Sequence, residues 1–424
     1  MTATAVKPHA AQHRGRHTHG RHRQLLGLPR PRPGAPAEVG TVTHRRRRGG
    51  LAAVVVVLML ASASAAPDRV EARDPVGNAA AQLGAVGAPP LPVSHWEQVY
   101  RANWESSDLA HFAELSRSRD SWSQYELAYG IDESTALFRA TGRIGYAGRA
   151  LTWAENVVAS ARVSRAMPTS QFRDQYRGWV SESDDSRGQE VPLPESYLWR
   201  YVTALLKAVR ESSLYSDPSY RARYGRLLDF ARVNVFGKWV ARGSEENVYR
   251  SRTHMAAHWA QIALNLEAID PDPGHRARYR TVTTRIDDEL RGQLRANPAA
   301  PAAYFWSDRW GRDERPGQDV AHGNGVIAYL VDARETGQFW TATDLDRMCL
   351  LLVKVVAPGP SGGAEFVDGS GTGTGWLADG FVKLGRYDPA VQARLAEHTV
   401  VNGQFVANLA LNARILAKGS GSND

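Results

Sequence analysis

The run Thr253-His254-Met255-Ala256-Ala257-His258-Trp259-Ala260-Gln261-Ile262-Ala263-Leu264-Asn265 sets proton-exchanging side chains at helical spacing. Read at 3.6 residues per turn, Met255, Trp259, Ile262, Leu266 and Ile269 make an apolar stripe, with His254, His258, Gln261 and Asn265 as a polar stripe beside it. Unpaired buried polar groups are costly, so a core helix with such an edge is expected to line a wet cleft. Either imidazole could then serve as a base. The i, i+4 histidines also suit two metal ligands, but the glutamate of a zinc-protease helix is absent between them and no metal is assigned.

A second cluster is Gln318-Asp319-Val320-Ala321-His322-Gly323-Asn324-Gly325, ahead of the apolar run from Val326. A helix cap needs one Asp or Asn; here Asp319, His322 and Asn324 gather between glycines that let a backbone come close to a ligand. Glu195 follows Pro192-Leu193-Pro194 and continues the inward stripe Trp199, Val202, Leu206. Paired with Asp319 or Asp379, it would be the acid/base couple of a glycosidase. The glycine-rich stretch 359–380, ending in Trp376 and Asp379, reads as a lid or cleft wall, and no Gly-Lys-Ser/Thr makes it a phosphate loop. Trp104, Trp122, Trp179, Trp306, Trp310 and Trp376 fall near helix ends, where flat indoles could receive the apolar faces of sugar rings. Cys349, the single cysteine, reads as a small buried apolar side chain and excludes an intrachain disulfide.

The elements that must position these groups are helical. Apolar residues recur at helical spacing over 151–163, 197–209, 224–235, 255–269, 326–332, 348–355 and 405–416. Turn signals separate them at Gly142, Tyr215–Tyr220, Ile269–Gly274, Thr336–Phe339 and Leu384–Pro389. The joints recur about every 50–65 residues, which predicts a chain of helical hairpins.

The net charge of +8 misleads about partners: eleven of the 52 Lys and Arg residues, but one of the 44 acids (Glu38), lie in residues 1–48. The remainder is close to neutral and carries no footprint for nucleic acid. Residues 1–48 read as a disordered basic leader, with translation from near Val42 as one explanation of its length. Residues 49–66, preceded by Arg45–Arg48, combine the apolar run from Leu51 with Ala-x-Ala spacing near Ala65, the pattern of an export signal or, if uncleaved, a membrane anchor. Residues 67–92 read as an Ala/Pro/Gly linker, 93–418 as the folded domain and 419–424 as a tail.

The joint Ala140-Thr141-Gly142 through Tyr146, followed by Ala150-Leu151-Thr152-Trp153-Ala154, resembles those of the six-hairpin (α/α) toroid carbohydrate-active enzymes. That resemblance, over residues 95–415, implies an all-α (α/α)6 toroid. The stretch 247–259 is similar to toroid polysaccharide lyases, where a helix with Asn and His precedes a Trp-Ala pair near a Tyr; here Asn247 and His254 are seven residues apart rather than adjacent. The resemblance implies an exported enzyme that cleaves a uronate-containing polysaccharide by elimination, with hydrolysis or non-catalytic glycan binding as alternatives. Asn247 and His322 would then bind the substrate carboxylate, His254 or His258 be the base and Tyr249 the acid. Arg252, Asp319, Asn324, Glu195, Trp376 and Asp379 would line the site. No cofactor and no nucleic acid are implied, and a membrane only through the N-terminal segment.

Overall fold

The computed structural model describes residues 90–312, 315–360, 363–398 and 402–420, all within the compact unit Arg73–Asp424. The leader, the signal or anchor segment, nearly all of the linker and the end of the tail lie outside the described residues. No helix among the described residues is long and apolar enough to cross a membrane.

The described chain is predominantly helical, as its periodicity predicts, and strand occurs as two short antiparallel pairs, Arg162–Val163 with Arg177–Gly178 and Arg295–Ala296 with Tyr304–Phe305. In chain order the helices are α1 (Val93–Asn103), α2 (Glu105–Leu115), α3 (Ser121–Thr141), α4 (Ile144–Ser160), α5 (Pro192–Arg210) and α6 (Pro218–Phe230). After a short turn of helix at Ser244–Asn247 come α7 (Thr253–Ile269), α8 (Pro273–Gln293), α9 (Val320–Glu335), α10 (Ala342–Leu351), α11 (Pro389–Ala396) and α12 (Gly403–Ser420), with a 3-10 segment at Phe381–Arg386 before α11. Packing runs from α3 to α5, α7, α9, the 3-10 segment and α12, and α12 returns to α3. The remaining helices cover this set: α4 lies on α3, α8 on α7, α11 on the 3-10 segment and α1 on α12.

Local chemistry sets the ends. Asp120 caps α3 by accepting from the Trp122 amide, and Gly142, at φ 74°, closes it in the left-handed conformation that glycine adopts without penalty. Asp272 and Pro273 start α8, and Thr341 and Asp344 form a reciprocal capping box on α10. The apolar listing from sequence omits α8 because its stripe Tyr279, Val282, Ile286 and Leu290 is interrupted by arginines that stay outside. Beyond Phe230, α6 passes through a π-helical stretch, Ala231–Gly237, into Lys238–Ala241. The wider turn brings Lys238 and Trp239 onto Glu195 at the start of α5.

Segments that precede the packed helices are stitched together at one end: Asp120 bridges to Val180, Arg252 to Arg309 and Asp319 to Phe366. That end carries the polar cluster described next.

Candidate active site

Each packed helix brings a polar stripe to the same end. On α7 it is His254 and His258; on α3, Tyr125 and Tyr129; on α5, Tyr197, Arg200 and Tyr201; at the head of α9, Asp319 and His322. Asp379 stands just before the 3-10 segment, and Gln404 opens α12.

The helix starts are tied to one another. Thr253 Oγ1 donates to Gln318 Oε1 (2.9 Å), and Gln318 Nε2 donates to Asp319 Oδ2 (3.0 Å). Asp319 accepts the His322 amide (2.9 Å), the ordinary cap of α9, and also faces the His322 ring, whose Nδ1 lies 2.8 Å from Oδ2. The carboxylate thereby fixes both the helix start and the imidazole orientation. The rings of His254 and His322 lie 4.4 Å apart, and that of His258 lies 5.9 Å from His254. A side chain at Gly325 would put its Cβ 2.7 Å from His258 Nε2, so the missing side chain makes room for an imidazole of this chain.

Beside His258 lies an aromatic and charged layer. Tyr197 stacks on Tyr125 at 3.8 Å and 9°, and the Arg200 guanidinium sits 4.3 Å over the Tyr197 ring. With Tyr125 on one face and Arg200 over the ring, Tyr197 is sandwiched, and His258 meets it at 5.1 Å, nearly perpendicular. Asp379 gathers this layer: Tyr197 and Tyr201 donate their hydroxyl protons to it and Arg200 Nη2 lies 2.5 Å from Oδ2. Gln404 reaches towards Asp379 (3.5 Å) and donates to Asp132 (2.8 Å), which also holds Lys383 and Asn408.

Two features make the upper layer unlike an ordinary polar core. His254 is 3 % exposed and His258 1 %, yet both ring nitrogens of His254 and Nδ1 of His258 have no hydrogen-bond partner. Arg200, fully buried, leaves Nε and Nη1 likewise unpartnered. Burial, and then the charge of His322, hold the His254 pKa well below the usual imidazole range; for His258 it is burial and then Arg200. Both are therefore neutral imidazoles. Burial opposes ionisation of Asp319, but the His322 hydrogen bond and charge outweigh it and bring the carboxyl down to about 2. Burial raises the Tyr125 phenol far above its ordinary value and Tyr129 to about 12, so both stay protonated.

The other sequence candidates are placed as follows. Asn247 donates to the carbonyls of Arg242 and Gly243 and closes its own turn. Tyr249 lies under Arg285 of α8, 3.9 Å away, on the covering layer rather than among the histidines. Arg252 pairs with Asp308 beside the entrance to α7. Glu195 is fully buried, with Lys238 on one carboxylate oxygen and Trp239 on the other. Asn324 donates to the Trp376 carbonyl (2.7 Å) and accepts from the amides of Gly380 and Phe381, so its amide braces the 376–381 segment. Trp376 is half-buried there, and Asp379 is bound up by Tyr197, Tyr201 and Arg200. The glycine-rich stretch folds back on Glu365, which accepts from Thr372 and Gly373, and is sewn to α9 through the Val320 amide. Trp179 and Trp306 are core filler, while Trp104, Trp122, Trp310 and Trp376 are half-buried; the Cys349 thiol is buried.

Sequence reasoning missed Tyr125, Tyr129, Tyr197, Arg200 and Tyr201. The signal was present: Tyr125-Tyr129-Asp132 and Tyr197-Arg200-Tyr201 repeat the one-sided polar spacing that singled out His254 and His258.

Among the described residues no group of three or more His, Cys, Asp or Glu side chains could hold a metal ion. No protein-family model, curated protein or solved structure matches the chain.

Proposed function

We propose that residues 93–418 form a six-hairpin (α/α) toroid, exported by the segment 49–66, that cleaves a uronate-containing polysaccharide or oligosaccharide by β-elimination. Support for the toroid comes from the closed order of packing, in which α12 returns to α3. The enzymatic reading is carried by one observation: a buried, neutral His254 whose ring lies 4.4 Å from, and tilted against, an imidazole oriented by Asp319.

Elimination needs a base for the proton on the carbon beside the carboxyl group, an acid for the leaving glycosidic oxygen, and groups that stabilise the developing enolate. In this reading His254 takes the C5 proton. The electron pair forms the C4–C5 double bond, the C4–O bond breaks, and the departing oxygen takes a phenolic proton. The acid is reassigned from Tyr249, which is engaged by Arg285, to Tyr125, which is half-buried and stacked on Tyr197 next to His258. Its raised pKa keeps the proton available. His322, with Asp319 behind it, orients the substrate. Hydrolysis by a carboxylate pair has less support, because Glu195 and Asp379 are both held by internal cations and donors.

The test is a panel of uronate polysaccharides followed by ultraviolet absorbance, since elimination creates a conjugated unsaturated uronate and hydrolysis does not. Absorbance that rises with the wild type and is lost in both His254→Ala and His322→Ala supports the reading. New reducing ends without absorbance would replace it with hydrolysis, and binding with neither would make the protein a glycan-binding one. Amino-terminal sequencing of the mature protein tests export: an end near Pro67 supports it and an intact leader overturns it.

A further inference from the structure

Three side chains of the cluster carry unpartnered nitrogens. His254 contributes Nδ1 and Nε2, His258 contributes Nδ1 and Arg200 contributes Nε and Nη1, all buried. A buried guanidinium with unused N–H groups forfeits their hydration without replacement, a larger penalty than for a neutral group. Nothing about Arg200 is loose: Asp379 holds Nη2, and the rings of Tyr197 and Tyr201 lie 4.3 Å from its guanidinium carbon. The side chain is clamped in one orientation with the rest of its planar fork unspent.

Exposure falls from Asp319 and His322 inward along this cluster. The side chain of Asp319 is 33 % exposed and that of His322 26 %. Tyr125 and Tyr129 are half-buried, His254 and His258 are 3 % and 1 % exposed, and Arg200 is at 0 %. Tyr125, Tyr197 and Arg200 are successive layers of one stack, with His258 along the edge of the middle ring. The guanidinium thus lies over Tyr197, close enough for its charge to act on His258.

We propose that Arg200 is a carboxylate receptor: its free Nε and Nη1 take the carboxylate of an acidic sugar in paired hydrogen bonds, and this contact selects acidic over neutral or esterified sugars. The inference rests on the carbohydrate reading above and adds to it the residue that recognises the acid group. A planar fork with parallel donors matches a carboxylate, which a lysine ammonium does not reproduce. Asp379 neutralises the resting guanidinium, so the receptor stays folded when empty. Tyr197 and Tyr201, which donate to the same Asp379, keep that carboxylate from rotating onto the free donors.

The experiment measures binding by calorimetry of the whole protein to a β-linked oligoglucuronate and to its methyl ester, in the wild type and in Arg200→Lys. Lysine keeps the charge that Asp379 needs and removes the fork; a thermal melt reports whether the variant is folded. The expected result is wild-type preference for the acid of at least tenfold, collapsing to about twofold in the folded variant. Crystals of the wild type soaked in the same oligoglucuronate give a readout independent of any variant, with the carboxylate expected within hydrogen-bond distance of Arg200 Nε or Nη1. A carboxylate seated elsewhere, such as on Arg250 or Arg252, overturns the inference, as does an undiminished preference in Arg200→Lys. Acid-selective, Arg200-dependent binding without cleavage would leave the receptor standing and sink the elimination reading. Cleavage with no dependence on Arg200 would do the reverse.

Discussion

Two buried charged clusters in this domain are built from similar groups and finished differently. At the start of α5, Lys238 lies 2.8 Å from Glu195, Arg242 bonds Glu190 and Asp174, Ser170 donates to Glu190, and Trp239 donates to Glu195. None of these side chains has a buried polar atom without a partner. In the second cluster His254, His258 and Arg200 are buried as deeply and keep free nitrogens. The first arrangement is what a core needs in order to hold charge at all. The second gives up stability, and strained or unsatisfied groups retained in a fold are where function is to be sought. Burial alone does not separate the two, but hydrogen-bond saturation does.

The largest test of that difference removes one group from each cluster. Lys238→Met leaves Glu195 buried without its cation and is expected to cost about 3–5 kcal/mol in urea unfolding. A loss under about 1 kcal/mol would mean that the saturated cluster is not a structural one. His254→Gln is expected to change unfolding by no more than about 1 kcal/mol while lowering turnover of the identified substrate about 10²–10⁴-fold. Equal stability losses in the two variants would erase the comparison.

The pH dependence of stability sharpens it. His254 and His258 have folded pKa values well below the ordinary imidazole value, so the unfolded chain binds protons first as pH falls. Their contribution is complete above about pH 7 and is lost as pH falls below about 6.5, by up to about 1.4 kcal/mol per pH unit for each ring. Unfolding free energies measured from about pH 7.5 down to about pH 5 should show the slope in the wild type. It should be smaller in a His254→Gln, His258→Gln double variant, the difference between the two profiles being the part these rings supply. A wild type flat through the window would mean that the rings have partners or solvent. Smaller again is Gly325→Ala. Alanine gains about 1 kcal/mol of helix propensity over glycine. Its Cβ, 2.7 Å from His258 Nε2, forces the imidazole aside, at about 1–3 kcal/mol of overpacking. A net loss near 1 kcal/mol with reduced turnover is expected, and a stabilised, fully active variant would show that His258 has room.

How much of this was legible in sequence follows from the same distinction. The stripe His254, His258, Gln261, Asn265 is turned inward but buried to 3 % or less rather than exposed along a wet cleft, and the joints at Gly142 and Gly337 adopt the positive φ expected of them. What was harder to see is whether a polar stripe is satisfied. Glu195 reads as inward-facing from its own helix, but its partner Lys238 comes from 43 residues further on, across a π-helical turn. Asn324 reads as a ligand group until the amides of Gly380 and Phe381, 56 and 57 residues away, are seen to consume it. Tyr249 is close to His254 in sequence yet belongs to the covering layer, because the chain turns between them at 251–253. Arg200 escaped notice for the opposite reason: beside Trp199 and Val202 it looked like the outer edge of an apolar helix. Comparing stripes across helices would have found it, since Tyr125-Tyr129-Asp132 and Gln404-Asn408-Asn412 have the same one-sided polarity.

The smallest stability effect is the most diagnostic, because Asp319 stands with a foot in each kind of cluster. Its Oδ1 accepts the His322 amide and caps α9, a structural duty, and its carboxylate also faces the His322 ring. Asparagine caps a helix about as well as aspartate, so Asp319→Asn should change unfolding by only a few tenths of a kcal/mol at neutral pH. The amide can nevertheless present its NH2 to the ring, which favours the wrong tautomer and removes the negative charge behind it. In the wild type the carboxyl, held at about 2 by His322 against burial, stays ionised until strongly acid conditions. The stability it supplies is present above the ordinary carboxyl pKa and is lost as pH falls through about 2, so no titration of Asp319 intrudes on an assay at neutral pH. A turnover loss of at least about tenfold with an unchanged melt would show that the ring orientation matters to chemistry. Unchanged turnover would reduce Asp319 to a helix cap, and would leave His254 as a base without an oriented partner.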